Sequence, residues 1–138
     1  MAFGSGDSNL VAGDTNRRWD VFVIDRQHGT TTRASLGAGG VQANGHSSHA
    51  AISADGRWVA FLSDASNLVP GDTNGPSFWF GFDVFVRDLV AGTTTRVNVG
   101  PGGAEANDVG RGSPGISADG RWVAFDSWAD NLVAGDTN

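Results

Sequence analysis

The chain has 138 residues, 39% hydrophobic and 17% charged, with 21 glycines and 4 prolines, which fits one ordinary folded domain that turns often. A formal charge of −6, with arginine as its only strong base, argues against a nucleic-acid partner or an anionic membrane surface, both of which demand a positive face. No run of about 18 apolar residues offers a spanning helix, no basic and apolar leader marks the first twenty residues, and the lack of cysteine removes disulfides and thiolate metal sites.

In chain order the segments repeat. "MAFGSGDSNLVAGDTN" opens the chain, and "VAFLSDASNLVPGDTN" from Val59 and "VAFDSWADNLVAGDTN" from Val123 match it, which places Phe3, Phe61 and Phe125 in register. "DVFVIDRQHGTTTRASL" from Asp20 matches "DVFVRDLVAGTTTRVNV" from Asp83, and "ISADGRWVAF" stands at both Ile52 and Ile116. The apolar segments run only 4–7 residues between Gly, Asp, Asn and Thr clusters, so they read as short strands.

Each period predicts four strands, a to d. Strand a is "AIS" or "GIS"; Asp55-Gly56 and Asp119-Gly120 then supply a tight hairpin turn, and strand b is "RWVAF". A loop holding GDTN leads to strand c, "DVFVID" or "DVFVRD", apolar on both faces and so expected to be buried on both sides. Strand d, "TTTRASL" or "TTTRVNV", alternates Thr with Arg like a solvated edge. Phe22, Trp58, Phe61, Phe85, Trp122 and Phe125 are the expected core.

Four-stranded units repeated about every 60 residues, with small residues in the first strand and apolar middle strands, predict an all-β fold of β-propeller blades. Residues 1–138 form one repeat region: a partial blade over 1–36, a full one over about 50–99 and a partial one over about 114–138. The motifs "ISADGRWVAF", "NLVAGDTN" and "DVFVRDLVAGTTTRV" resemble the WD-like repeats of the TolB-like β-propeller family. That resemblance implies a bacterial, often exported propeller, periplasmic or extracellular, that acts by binding. Two blades and a redundant strand do not close a ring of four to eight blades. The chain is expected to be an open piece of a longer propeller or one member of a homo-oligomeric ring.

Three places carry candidate chemistry. In the GDTN loops Asp14, Asn16 and Asp20, and again Asp72, Asn74 and Asp83, could offer oxygens to calcium, or could bond their own backbone in Asx-turns. The insertion "GPSFWFGF", Gly75–Phe82, stands where the first copy has "RRW"; Phe78, Trp79, Phe80 and Phe82 could anchor a protein partner, stack on a sugar ring, or fold back over the sheet. His46 and His49 in "NGHSSHAA" have no third ligand or nucleophile motif beside them and read as loop histidines. "GRGSPG", Gly110–Gly115, precedes a strand and is a turn, not a dinucleotide site. The sequence therefore predicts no catalytic residues: a non-catalytic binding or scaffold module for a protein or glycan, with the alternative that it is the propeller portion of a larger peptidase-like hydrolase whose catalytic residues lie outside this chain.

Overall fold

The computed structural model describes residues 1–74 and 81–137, and of Arg111 the backbone only. It is all-β, with three antiparallel sheets in succession. The first holds β1 (Ala2–Ser5), β2 (Asp20–Asp25) and β3 (Thr30–Arg33) in the order β1-β2-β3. The second holds β4 (Ser47–Ile52), β5 (Trp58–Ser63), β6 (Asp83–Asp88) and β7 (Thr93–Arg96), and the third pairs β8 (Gly110–Ile116) with β9 (Val123–Ser127). Among the described residues the only helical pieces are two short 3-10 turns, Ala38–Gly40 and Pro101–Gly103, and none could cross a membrane.

The repeats obey one register. Phe3 faces Phe22 across β1 and β2, with ring centroids 5.9 Å apart, and Phe61 faces Phe85 across β5 and β6 at 5.8 Å. Phe22 then pairs with Arg33 on β3, and Phe85 with Arg96 on β7. The expectation for strand c holds: Val21, Phe22, Val84 and Phe85 have no exposed surface. The core between the first two sheets gathers Val21, Val23, Val59, Phe61, Leu68 and Phe85.

Strand a is longer than the sequence suggested. It starts at Ser47 and Gly110, because each copy is interrupted by a bulge that breaks the period of two: between Ser48 and Ala51 in β4, and between Arg111 and Gly115 in β8. His49 sits on that bulge, on a strand rather than in a loop, with φ of 53°. Strand d departs from its expected solvated edge, since Arg33 turns inward and is 6% exposed.

Successive sheets stack in one way, β1 against β4 and β5 against β8. The Ser47 N–H donates to Trp19 O at 2.7 Å, and the Gly110 N–H to Phe82 O at 3.0 Å. Trp58 is half-buried because the next hairpin turn lies on it: a Cβ at Gly120 would come within 2.1 Å of its ring, and the Ala54 N–H donates to Ala118 O at 3.0 Å. Trp122, expected in the core, is 65% exposed, because no described residue supplies another hairpin over it and Arg121 covers one face at 4.8 Å. Phe125 is likewise only half-buried.

Replacing Phe85 with Ala is expected to cost about 3–5 kcal/mol in denaturant unfolding, and Trp122→Ala less than about 1 kcal/mol. Equal costs would contradict this placement of the core.

Candidate functional site

The GDTN phrase builds a buried polar clamp. In the first repeat Asp20, fully buried at the head of β2, accepts from Ser35 Oγ at 2.5 Å and from Asn16 Nδ2 at 2.8 Å. Arg33, reaching across from β3, stands 3.6 Å from Asp20 and 3.3 Å from Asp14 and donates to Gln42 Oε1 at 2.8 Å. Gln42 Nε2 in turn donates to Gly13 O at 2.9 Å. Four chain segments therefore meet at one guanidinium. Burial pushes the Asp20 carboxyl above its ordinary range, against the hydrogen bonds from Ser35 and Asn16 and the charge of Arg33.

The second repeat copies the clamp with two exchanges. Asn98 replaces Ser35 and donates to Asp83 Oδ1 at 2.6 Å, and Asn74 Nδ2 donates to Asp83 Oδ2 at 3.2 Å. Glu105 replaces Gln42: it pairs with Arg96, accepts from the Thr73 N–H at 3.0 Å, and brings a third carboxylate beside Asp72 and Asp83. Oxygens of these three lie within 4.8 Å of one another, a geometry that could hold a metal ion. Asp72 Oδ1 is buried and accepts no hydrogen bond, with Arg96 Nη1 3.6 Å away. Burial, then the nearby Asp83 charge, pushes the Asp72 carboxyl up to about 6.

Of the six residues read as calcium ligands, the structure thus brings Asp14 to Asp20 through Arg33, and Asp72 to Asp83 through Arg96, while Asn16 and Asn74 turn their amide nitrogens to the carboxylates. A cation would compete with an arginine at both clamps. In the first, Gln42 leaves only two carboxylates, and three donors already occupy Asp20. Arg33, Arg96, Gln42 and Glu105 were missed in the sequence. The signal was present, since "GVQAN" and "GAEAN" occupy matching places after the TTTR strands.

The leading Asn of the phrase acts on the preceding repeat. Asn67 Nδ2 donates to Gln42 O at 2.8 Å and its Oδ1 accepts the Asn44 N–H at 3.0 Å; Asn131 does the same with Glu105 O at 2.7 Å and the Asn107 N–H at 3.1 Å. Only glycine fits beneath these loops, because a Cβ at Gly37 would stand 2.7 Å from Asn67 O.

Where the first sheet meets the second, a cleft of about 290 Å³ opens between Trp19 and Phe82, lined also by His46, Ser48 and Asp64. Trp19 and Phe82 occupy equivalent places, one residue before β2 and β6. The Trp19 N–H donates to His46 Nδ1 at 3.1 Å. Asp64, 3% exposed, accepts the His46 backbone N–H. Of the aromatic insertion, Phe82 reaches this cleft; Phe78, Trp79 and Phe80 lie outside the described residues. His46 is thus a cleft wall, and His49 pairs with Ser48 Oγ at 2.8 Å. Trp19 and Asp64 were not singled out in the sequence.

The chain matches no protein-family model and no curated protein. The TolB-like resemblance therefore rests on the repeat motifs alone.

The pH dependence of stability tests the second clamp. Asp72 holds its proton more tightly folded than unfolded, so its contribution is full below the ordinary value of 3.8 and is lost as pH rises through about 6. Glu105→Gln, which restores the first repeat's chemistry, removes one neighbouring charge. Between pH 5 and 7.5 it is expected to shrink the fall in unfolding free energy by on the order of 1 kcal/mol. Parallel pH profiles for the two proteins would contradict this.

Proposed function

We propose that the three sheets are successive blades of a β-propeller and that the chain is a non-catalytic binding module. The carrying observation is the cleft between the first two sheets, where Trp19 and Phe82 form apolar walls held from behind by main-chain hydrogen bonds. Repeated stacking and repeated clamps support the blade reading: each polar loop is tied to its own strands and to the neighbouring repeat, which gives the cleft a rigid frame. Ser48 Oγ is bonded to His49 Nδ1 at 2.8 Å. The TolB-like motifs support an exported protein with a protein or glycan partner, and other copies of the chain completing a ring.

Immobilised chain should retain a ligand from a peptide array or a glycan array, and the double variant Trp19→Ala, Phe82→Ala should lose it. Signals that persist in the double variant, or none on either array, would overturn this reading.

A second reading, in which calcium reinforces the second clamp, rests on the three carboxylates and on the donor-free Asp72 Oδ1. It predicts that millimolar calcium raises the melting temperature by roughly 2–4 °C in the parent chain and not in Glu105→Gln. An unchanged melting temperature in the parent chain would overturn it.

A further inference from the structure

We propose that β9 of one copy of the chain pairs with β2 of a second copy, in the place of that copy's own β1, so that the two copies build one four-stranded blade between them. The inference rests on reading the sheets as propeller blades completed by other copies. The second sheet shows the whole unit: β5 has β4 on one side and β6 on the other. Among the described residues β9 has β8 alone, which leaves its other edge open to pairing. The first sheet holds the strands that would follow, β2 and β3, with β1 on the edge of β2 that would receive β9.

The strands β1 and β9 are two versions of one element. Ala2 and Phe3 face Val23 and Phe22, as Ala60 and Phe61 face Val86 and Phe85. Ala124 and Phe125 repeat the same two residues on β9, so β9 fits β2 in the register that β1 uses. Exchange of an equivalent element between copies preserves the pairing and is a low-cost route to association. Asp126 would then stand at the place of Gly4, where a Cβ makes ordinary contact with its nearest neighbour at 3.6 Å.

Two groups favour the exchanged strand. The register places Trp122 opposite Asp25, as Trp58 lies opposite Asp88. Beside Trp58, Arg57 donates Nε and Nη2 to Asp88 at 3.0 and 2.6 Å. Arg121 makes no ion pair among the described residues, and the half-exposed Asp25 is met by the exposed His28 and by the N–H groups of its own turn. A cation on the third sheet and an anion on the first thus become a two-pronged pair when copies join. The second group is Trp122 itself, 65% exposed, whereas Trp58 in the same motif lies under the next hairpin. In front of the first sheet the Asp55-Gly56 hairpin overhangs a cavity of about 370 Å³ lined by Met1, Ile24, Asp25 and Ile52. The exchanged strand brings the Trp122 ring to that cavity, while β1 gives up four half-buried residues.

Each copy then contributes two blades, so rings of about four to eight blades need about two to four copies. The test is light scattering on the full chain at about 5–200 μM, where a discrete assembly of the 14.3 kDa chain is expected to form as concentration rises. Asp25→Arg and Arg121→Asp each set like charges face to face and should weaken association at least about tenfold; made together they restore the pair and should return it to within about threefold of the parent. Trp122→Ala should weaken association while leaving the unfolding of the dilute monomer nearly unchanged. A parent chain that is monomeric throughout would overturn the proposal. Assembly that ignores both single variants, or that the double variant fails to restore, would place the contact on another surface and overturn the exchange. Ligand retention through Trp19 and Phe82 is read separately, so a monomer that still binds leaves the binding-module reading standing.

Discussion

A carboxylate with almost no exposed surface stands at the head of two central strands, Asp20 on β2 and Asp83 on β6. Placing such a group out of water is costly unless its charge is met and its oxygens are bonded. The chain meets this demand with an arginine from strand d, a polar side chain just beyond it (Ser35 or Asn98), and an asparagine from the GDTN loop. Because the same arginine also reaches Gln42 or Glu105, the loop before the strand, the strand after it and the connection to the next sheet are fixed together. Asn67 and Asn131 then fasten the following repeat to that connection. The stacking of the sheets, and with it the position of Trp19 against Phe82, follows from this one buried ion pair.

The recurring phrase therefore builds the frame of each clamp. The copies disagree at two places. Glu105 for Gln42 brings a third carboxylate beside Asp83 and beside Asp72, whose carboxyl burial and the Asp83 charge push up to about 6. Trp19 against Phe82, over a buried Asp64 that stands where the first repeat has Gly6, turns a junction between two sheets into an apolar cleft.

Much of the fold was legible because the strand period, the Asp-Gly turns and the internal matches point the same way. Three features were not. The bulges shift the register by one residue in β4 and by two in β8, so strand a read as three residues instead of six or seven. The burial of Arg33 depends on Asp14 and Asp20, which are remote in sequence, and an alternating Thr/Arg strand gives no hint of it. The exposure of Trp122 depends on a neighbouring hairpin rather than on its own motif, which is identical to that of the half-buried Trp58. For the site, the aromatic insertion drew notice through its composition. Trp19 and Asp64 did not, because only the stacking of two sheets brings residues 45 apart in the chain into one cleft.

The central claim is that the buried ion pair organises each repeat. It is tested most directly by a double-mutant cycle in unfolding free energy, with Asp20→Asn and Arg33→Gln made singly and together. The account requires a coupling of roughly 1–3 kcal/mol, because Arg33→Gln leaves Asp20 buried without its counter-charge, while Asp20→Asn leaves Arg33 only Asp14. Additive losses, with coupling below about 0.5 kcal/mol, would mean that the arginine and the carboxylate are merely neighbours and that the frame is held by apolar packing alone.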